Sequence, residues 1–262
     1  MTTVRNPAVA GLFYPDNSSQ LASMVDTLLE AAQTALTTPK ALIAPHAGYM
    51  YSGPIAANAY ARLLAAKNNI NRVVLLGPSH RVPFLGMATS SAHVFATPLG
   101  HIPVDQEAVA DIAGLPQVHC LDDAHAMEHS LEVQLPFLQS ILDDFCLIPL
   151  VVGDARPQEV AEVLDRLWGG DETVIIVSSD LSHYHDYETA IRLDSTTSRA
   201  IEELRLEDIG YDHACGRAPI NGLLHVARTR GLSAQTIDLR NSADTGGSRD
   251  QVVGYGAYIF EQ

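Results

Sequence analysis

Ala41-Leu-Ile-Ala-Pro-His-Ala-Gly-Tyr-Met-Tyr-Ser-Gly53 is the stretch from which the fold is read. A short apolar run, residues 41–44, stops at Pro45, and His46 follows at once. Gly48 and Gly53 then loosen the backbone before a new apolar pattern begins at Ile55. An apolar run closed by Pro and Gly and followed by a helical pattern reads as a buried strand entering a loop. In open α/β sheets, ligands bind at such loops, beyond the carboxyl ends of the strands. The pattern returns in Arg72-Val-Val-Leu-Leu-Gly-Pro-Ser-His80 and in Thr173-Val-Ile-Ile-Val-Ser-Ser-Asp-Leu-Ser-His183. If these runs lie side by side, His46, His80 and His183 converge on one edge of a sheet.

Working outward, Leu21, Met24, Val25, Leu28, Leu29 and Ala32 follow helical spacing, with N-cap side chains on offer at 16–19. The segment Ala10-Gly-Leu-Phe-Tyr-Pro15 reads as a loop that packs its aromatics onto the body. A helix is expected over 55–66, a strand over 73–76, and short strands or an excursion beside the site within 87–103. Asp105 is placed to cap a short helix, 121–129 reads as a polar loop, and 130–142 reads as a helix kinked or started near Pro136. Strands are expected over 146–152, 174–177, 234–239 and 252–260, and helices over 160–168, 190–204 and 219–230. Gly254 and Gly256 predict close approach by another backbone. With no repeat, low-complexity tract or linker, this alternation predicts one α/β domain over 1–262, its mixed, mostly buried β-sheet flanked by helices.

Composition narrows the function classes. In 262 residues, 47% are hydrophobic and 18% charged, the balance of a globular protein with a substantial core. Asp and Glu number 31 against 16 Lys and Arg, a net charge of -15. That argues against a nucleic-acid surface or an anionic-membrane patch, which need clustered cations. No apolar stretch reaches the roughly 20 residues that span a bilayer, and residues 1–7 lack the apolar core of a signal peptide. Cys120, Cys146 and Cys215 are too few, and odd in number, for a disulfide framework. A reducing cytoplasm is the expected location.

His46 and His80, each set by a preceding Pro or Pro-Ser at a strand end, are candidates for metal binding or catalysis; the alternative is a pair of hydrogen-bonded loop histidines. Asp180 and His183 supply a carboxylate and an imidazole together, suited to general acid/base work with Asp180 orienting the ring. Otherwise Asp180 caps a following helix. His185 reads as a solvated neighbour. His129 opens a helical segment, whose positive end would keep the ring neutral; it could serve a bound anion or only start the helix. Cys215, near a helix N-terminus and beside Arg217, is expected to favour the thiolate, both nucleophile and metal ligand. Cys120 and Cys146 read better as small buried hydrophobes. No zinc-finger spacing and no Gly-rich phosphate loop is present.

Six motifs then stand in order: Ala10-Gly-Leu-Phe-Tyr-Pro, Ile43-Ala-Pro-His-Ala-Gly-Tyr, Leu76-Gly-Pro-Ser-His, Glu128-His-Ser-Leu-Glu, Val177-Ser-Ser-Asp-Leu-Ser-His and Cys215-Gly-Arg-Ala-Pro-Ile. Together, over nearly the whole chain, they resemble the Memo family, whose prokaryotic members are also called AmmeMemoRadiSam system protein B. The resemblance implies a fold like that of the class III, LigB-type extradiol dioxygenases, which open catechol rings with non-haem iron(II). It implies His46, His80 and Cys215 as metal ligands, His183 with Asp180 as the acid/base pair, and His129 as a further pocket histidine. It also implies a redox or signalling role with iron or copper. Where the dioxygenases complete their site with a carboxylate, this chain offers a thiolate, which is softer and shifts preference toward copper(I) or zinc. The resulting expectation is a dioxygenase-like metal-dependent oxidoreductase for a small polar or phenolic substrate, with a protein partner as a further option. Two alternatives use the same pocket: a non-catalytic peptide- or metabolite-binding protein, and a zinc-dependent hydrolase.

Overall fold

Each apolar run closed by Pro, Gly or Ser becomes a strand in the computed structural model, which describes residues 3–34 and 38–262. From the amino end the chain forms β1 (Val4–Arg5), α1 (Ser18–Glu30), β2 (Ala41–Ala44), α2 (Tyr49–Tyr60) and β3 (Arg72–Pro78). Then come β4 (Met87–Thr89), β5 (Val94–Thr97), β6 (Gly100–Pro103), α3 (Gln106–Ile112), β7 (Val118–Cys120) and α4 (Asp122–Ala126). The middle of the chain gives α5 (Leu135–Ile141), β8 (Cys146–Val152), α6 (Pro157–Arg166), β9 (Thr173–Ser178) and β10 (His183–His185). It ends with α7 (Tyr187–Glu202), α8 (Arg217–Arg230), β11 (Ser233–Asn241) and β12 (Val252–Glu261). Of the opening read for a signal peptide, residues 1–2 lie outside the described residues. No helix among the described residues is long and apolar enough to cross a membrane.

One nine-stranded mixed sheet runs β10-β12-β2-β9-β3-β8-β4-β7, with β11 paired to β12. Its centre, β2, β9, β3 and β8, is parallel; β12 joins β2, and β4 joins β8, antiparallel. Strand side chains alternate between faces, so a strand covered on both sides must be apolar throughout. Leu42, Ala44, Val73, Leu75, Val174 and Ile176 enter the core that holds Leu21 and Val25 of α1, Ile55 of α2 and Phe137 of α5. Their neighbours Ala41, Ile43, Val74, Leu76, Ile175 and Val177 enter the opposite core, with Val160 and Leu164 of α6 and Leu223 of α8. Each fully buried Leu or Ile contributes about 1.5–3 kcal/mol. The two cores therefore lock the central strands in register.

Three local expectations change. Helix α2 starts at Tyr49 rather than near Ile55, because the carbonyl of Phe13 accepts the otherwise unpaired Tyr49 N–H at 2.8 Å. Within 121–129 a short helix, α4, replaces part of the loop, capped at its end by the turn through Met127. Gly254 and Gly256 leave room for side chains, not backbone. A β-carbon at Gly254 would lie 2.0 Å from the Asp194 carboxylate, and one at Gly256 2.4 Å from the Tyr258 hydroxyl. The loop of residues 10–15 does pack on the body: the Glu132 carboxylate, fully buried, accepts the N–H groups of Ala8 and Val9 and pairs with Arg5 and Tyr14.

Candidate metal centre

The strands β2, β9 and β3 are immediate neighbours, so their carboxyl ends open together. His46 follows β2, Asp180 follows β9 and His80 follows β3. These three line one cavity of about 450 Å³ with His129, His183 and Cys215. Cys215 arrives from the far side, in the turn that opens α8. A β-carbon on Gly216 would lie 2.6 Å from Cβ of Ser179 and 2.9 Å from the carbonyl oxygen of Ser178, so glycine alone lets that turn close on β9.

The hydrogen bonds fix which ring nitrogens face the cavity. Ser178 donates its hydroxyl proton to the Ser130 carbonyl at 2.6 Å, and Gln134 donates to Ser178 Oγ at 2.7 Å. With its proton spent, Ser178 Oγ can only accept from His46 Nδ1, 2.8 Å away. His46 Nε2 is thereby left with its lone pair, 3.4 Å from Cys215 Sγ. At His80, Nδ1 lies 2.9 Å from Glu128 Oε1, and a carboxylate accepts, so Nδ1 donates and Nε2 is free. Carboxylate–histidine pairs of this kind orient metal ligands and raise their basicity.

The donor atoms of His46, His80 and Cys215 lie within 4.8 Å of one another, and those of His80, Glu128 and His129 form a second such group. The second group reads as support for the first. Glu128 already accepts the His80 N–H at 2.6 Å and the His129 and Ser130 N–H groups at 2.9 Å each. Burial would raise this carboxyl, but the hydrogen bonds, led by those from His80, hold it down at about 2. Its oxygens are thus ionised and fully engaged.

Burial, helped by the neighbouring imidazoles, holds His46 well below the usual histidine range, and burial holds His129 at about 4. Both rings are neutral at pH 7, the state a metal ligand requires. The donor set therefore suits a soft or borderline metal: two imidazoles whose Nδ1 atoms are already hydrogen-bonded, and one sulfur.

Several expected details differ. Cys215 does not favour the thiolate: burial, then the Asp180 charge, push the thiol up to about 12. Arg217 offers it no compensation, since its guanidinium lies 3.3 Å over the Tyr211 ring and reaches Asp154 at 3.4 Å. Asp180 does not hold the His183 ring; its Oδ1 accepts the His46 backbone N–H at 2.8 Å. His183 is held by the Leu181 carbonyl, which accepts from Nδ1 at 2.8 Å, and its ring lines the cavity. His129 precedes a short 3-10 turn, Glu132–Gln134, and its ring packs against Phe13 at 4.8 Å. It is burial, rather than a helix end, that lowers its pKa. His185 lines the cavity with Tyr184, Tyr211 and Asp212, while Cys120 is exposed and Cys146 half-buried. Ser178, Gln134 and Glu128 carried no role in the sequence reading. The serine doublet at 178–179 and the Glu-His-Ser run at 128–130 were the available signals for two of them; Gln134 had none.

Fold and site together define an α/β protein that gathers imidazoles, a thiol and carboxylates at the carboxyl edge of its sheet. Over 84% of this chain and 98% of the other, the fold resembles the crystal structure of an uncharacterized protein from Escherichia coli K12, with a TM-score of 0.51 at 14% identity. The chain belongs to the Memo family: the model of the Memo-like protein family matches residues 5–259. Relatives include a MEMO1 family protein of Aquifex aeolicus, 36% identical over 98% of this chain and 99% of its own length. Another, from Aeropyrum pernix, is 37% identical over 97% and 98% of the two chains.

Proposed function

We propose that this Memo-family protein is a metal-dependent redox enzyme, cytoplasmic, acting on a small polar or phenolic substrate. His46, His80 and Cys215 would hold iron(II) or copper. The observation that carries the reading is the approach of their three donor atoms to within 4.8 Å of one another, with both Nδ1 positions already occupied. When bound, such a metal supplies redox chemistry and polarises an attached oxygen.

The chain's own groups supply the rest. His183, with Nδ1 donated to Leu181, presents Nε2 as a base to a substrate hydroxyl. Asp180, which burial pushes from an ordinary 3.8 up to about 6, stays a carboxylate at pH 7 and can accept a proton in the same pocket. His129, neutral and packed on Phe13, serves as a positioning group. A reducing compartment would keep the Cys215 sulfur from oxidation to sulfinate, which would weaken its hold on a metal.

The softness of sulfur also favours a second reading, a zinc-dependent hydrolase. Elemental analysis decides, on protein purified without chelators or a metal-binding tag and with Cys215 kept reduced. Stoichiometric iron or copper supports the redox enzyme, tightly held zinc the hydrolase, and no metal a binding protein.

A further inference from the structure

Consecutive side chains of a regular strand point to opposite faces, yet His183, Tyr184 and His185 all line the chamber. The cause is a break in the pairing of β10 with β12. His183 faces Val253 and His185 faces Val252, so two steps on β10 are matched by one on β12. The extra residue, Tyr184, has φ of 61°, in the left-handed region that normally falls to Gly, Asn or Asp. Bulges of this kind re-aim side chains beside active sites.

Packing does not repay the strain at Tyr184. The residue is 72% exposed, and its ring meets His183 edge-on at 5.7 Å. A second exposed aromatic, Tyr211, lines the same chamber and is steadied by Arg217 over its ring. The mouth of a histidine-lined cavity thus carries two tyrosine faces, one held out by a strained backbone and one by a cation.

We propose that Tyr184 is a substrate-contacting residue whose ring stacks on a planar group of the molecule bound in the chamber. The proposal rests on the chamber being a substrate pocket, but it needs no metal. A ring fixed by its backbone contributes stacking at little conformational cost, and a non-planar ligand of equal size forfeits that contact.

The test is an NMR titration with phenol and cyclohexanol, matched in size and hydroxyl but not in planarity. It compares the wild-type chain with Tyr184→Phe and Tyr184→Asn; asparagine tolerates the left-handed backbone, so the second variant removes the ring and keeps the bulge. Wild type and Tyr184→Phe should prefer phenol. Tyr184→Asn should lose about threefold to tenfold in phenol affinity, with cyclohexanol binding and Tm unchanged. Equal phenol affinity in wild type and Tyr184→Asn overturns the proposal, as does the absence of a phenol preference in wild type. A fall in Tm with equal loss of both probes also overturns it, by assigning the ring a structural role. Metal content is measured on the same samples. A metal-free wild type that still prefers phenol refutes the redox reading and leaves the role of Tyr184 standing.

Discussion

The sulfur of Cys215 lies 3.4 Å from Nε2 of His46, a contact made across 169 positions of sequence. Because Ser178 accepts from the other ring nitrogen, His46 turns a lone pair toward that sulfur. A buried thiol facing an unprotonated imidazole is an arrangement in which a metal ion can replace a proton.

That replacement has a pH signature. In the metal-free protein, burial and then Asp180 push Cys215 from an ordinary 9.0 up to about 12, while burial keeps His46 neutral. Metal binding should therefore expel about one proton, and affinity should rise about tenfold per pH unit between about pH 7 and pH 9. Calorimetry in buffers of different ionisation heat counts the protons. Release of none would show that Cys215 is not bound as a thiolate.

Glu128 should matter both to the metal and to acid stability. Glu128→Gln removes the ionised acceptor that orients His80, and metal affinity should fall about 10- to 100-fold. In chelated protein the Glu128 carboxyl is held at about 2 against an ordinary 4.5. A depressed folded pKa stabilises above the unfolded value and loses that stabilisation as pH falls toward the folded one. The wild-type Tm should thus drop between pH 4.5 and about 2 by more than that of Glu128→Gln. Parallel acid profiles would contradict the assignment.

Ligand and proton-transfer roles separate by substitution. His80→Ala should lose the metal, whereas His183→Ala should keep it, because His183 is anchored to the Leu181 carbonyl and acts on substrate protons. Elemental analysis of both variants after equal loading gives the answer. Equal loss in the two would place His183 among the ligands.

Much of this architecture was legible from periodicity. Continuous apolar runs at 41–44, 73–76 and 174–177 announced strands buried on both faces, and the histidine after each announced a shared edge. The supporting bonds were less visible, because they join positions far apart. Phe13 starts α2, Glu128 grips His80, and Ser178 with Gln134 sets the His46 tautomer. The thiol's pKa went the other way from the expectation because position near a helix end favours thiolate, whereas burial against Asp180 opposes it and wins. The bulge at Tyr184 left no trace at all, since no glycine or asparagine marks it.

X-ray absorption on the zinc-loaded protein tests the central claim most directly, by reading which atoms bind the metal. A site built from His46, His80 and Cys215 predicts one sulfur at about 2.3 Å and imidazole nitrogens at about 2.0–2.1 Å, with the sulfur signal abolished in Cys215→Ser. A spectrum with nitrogen and oxygen neighbours alone in the wild-type protein would contradict the account.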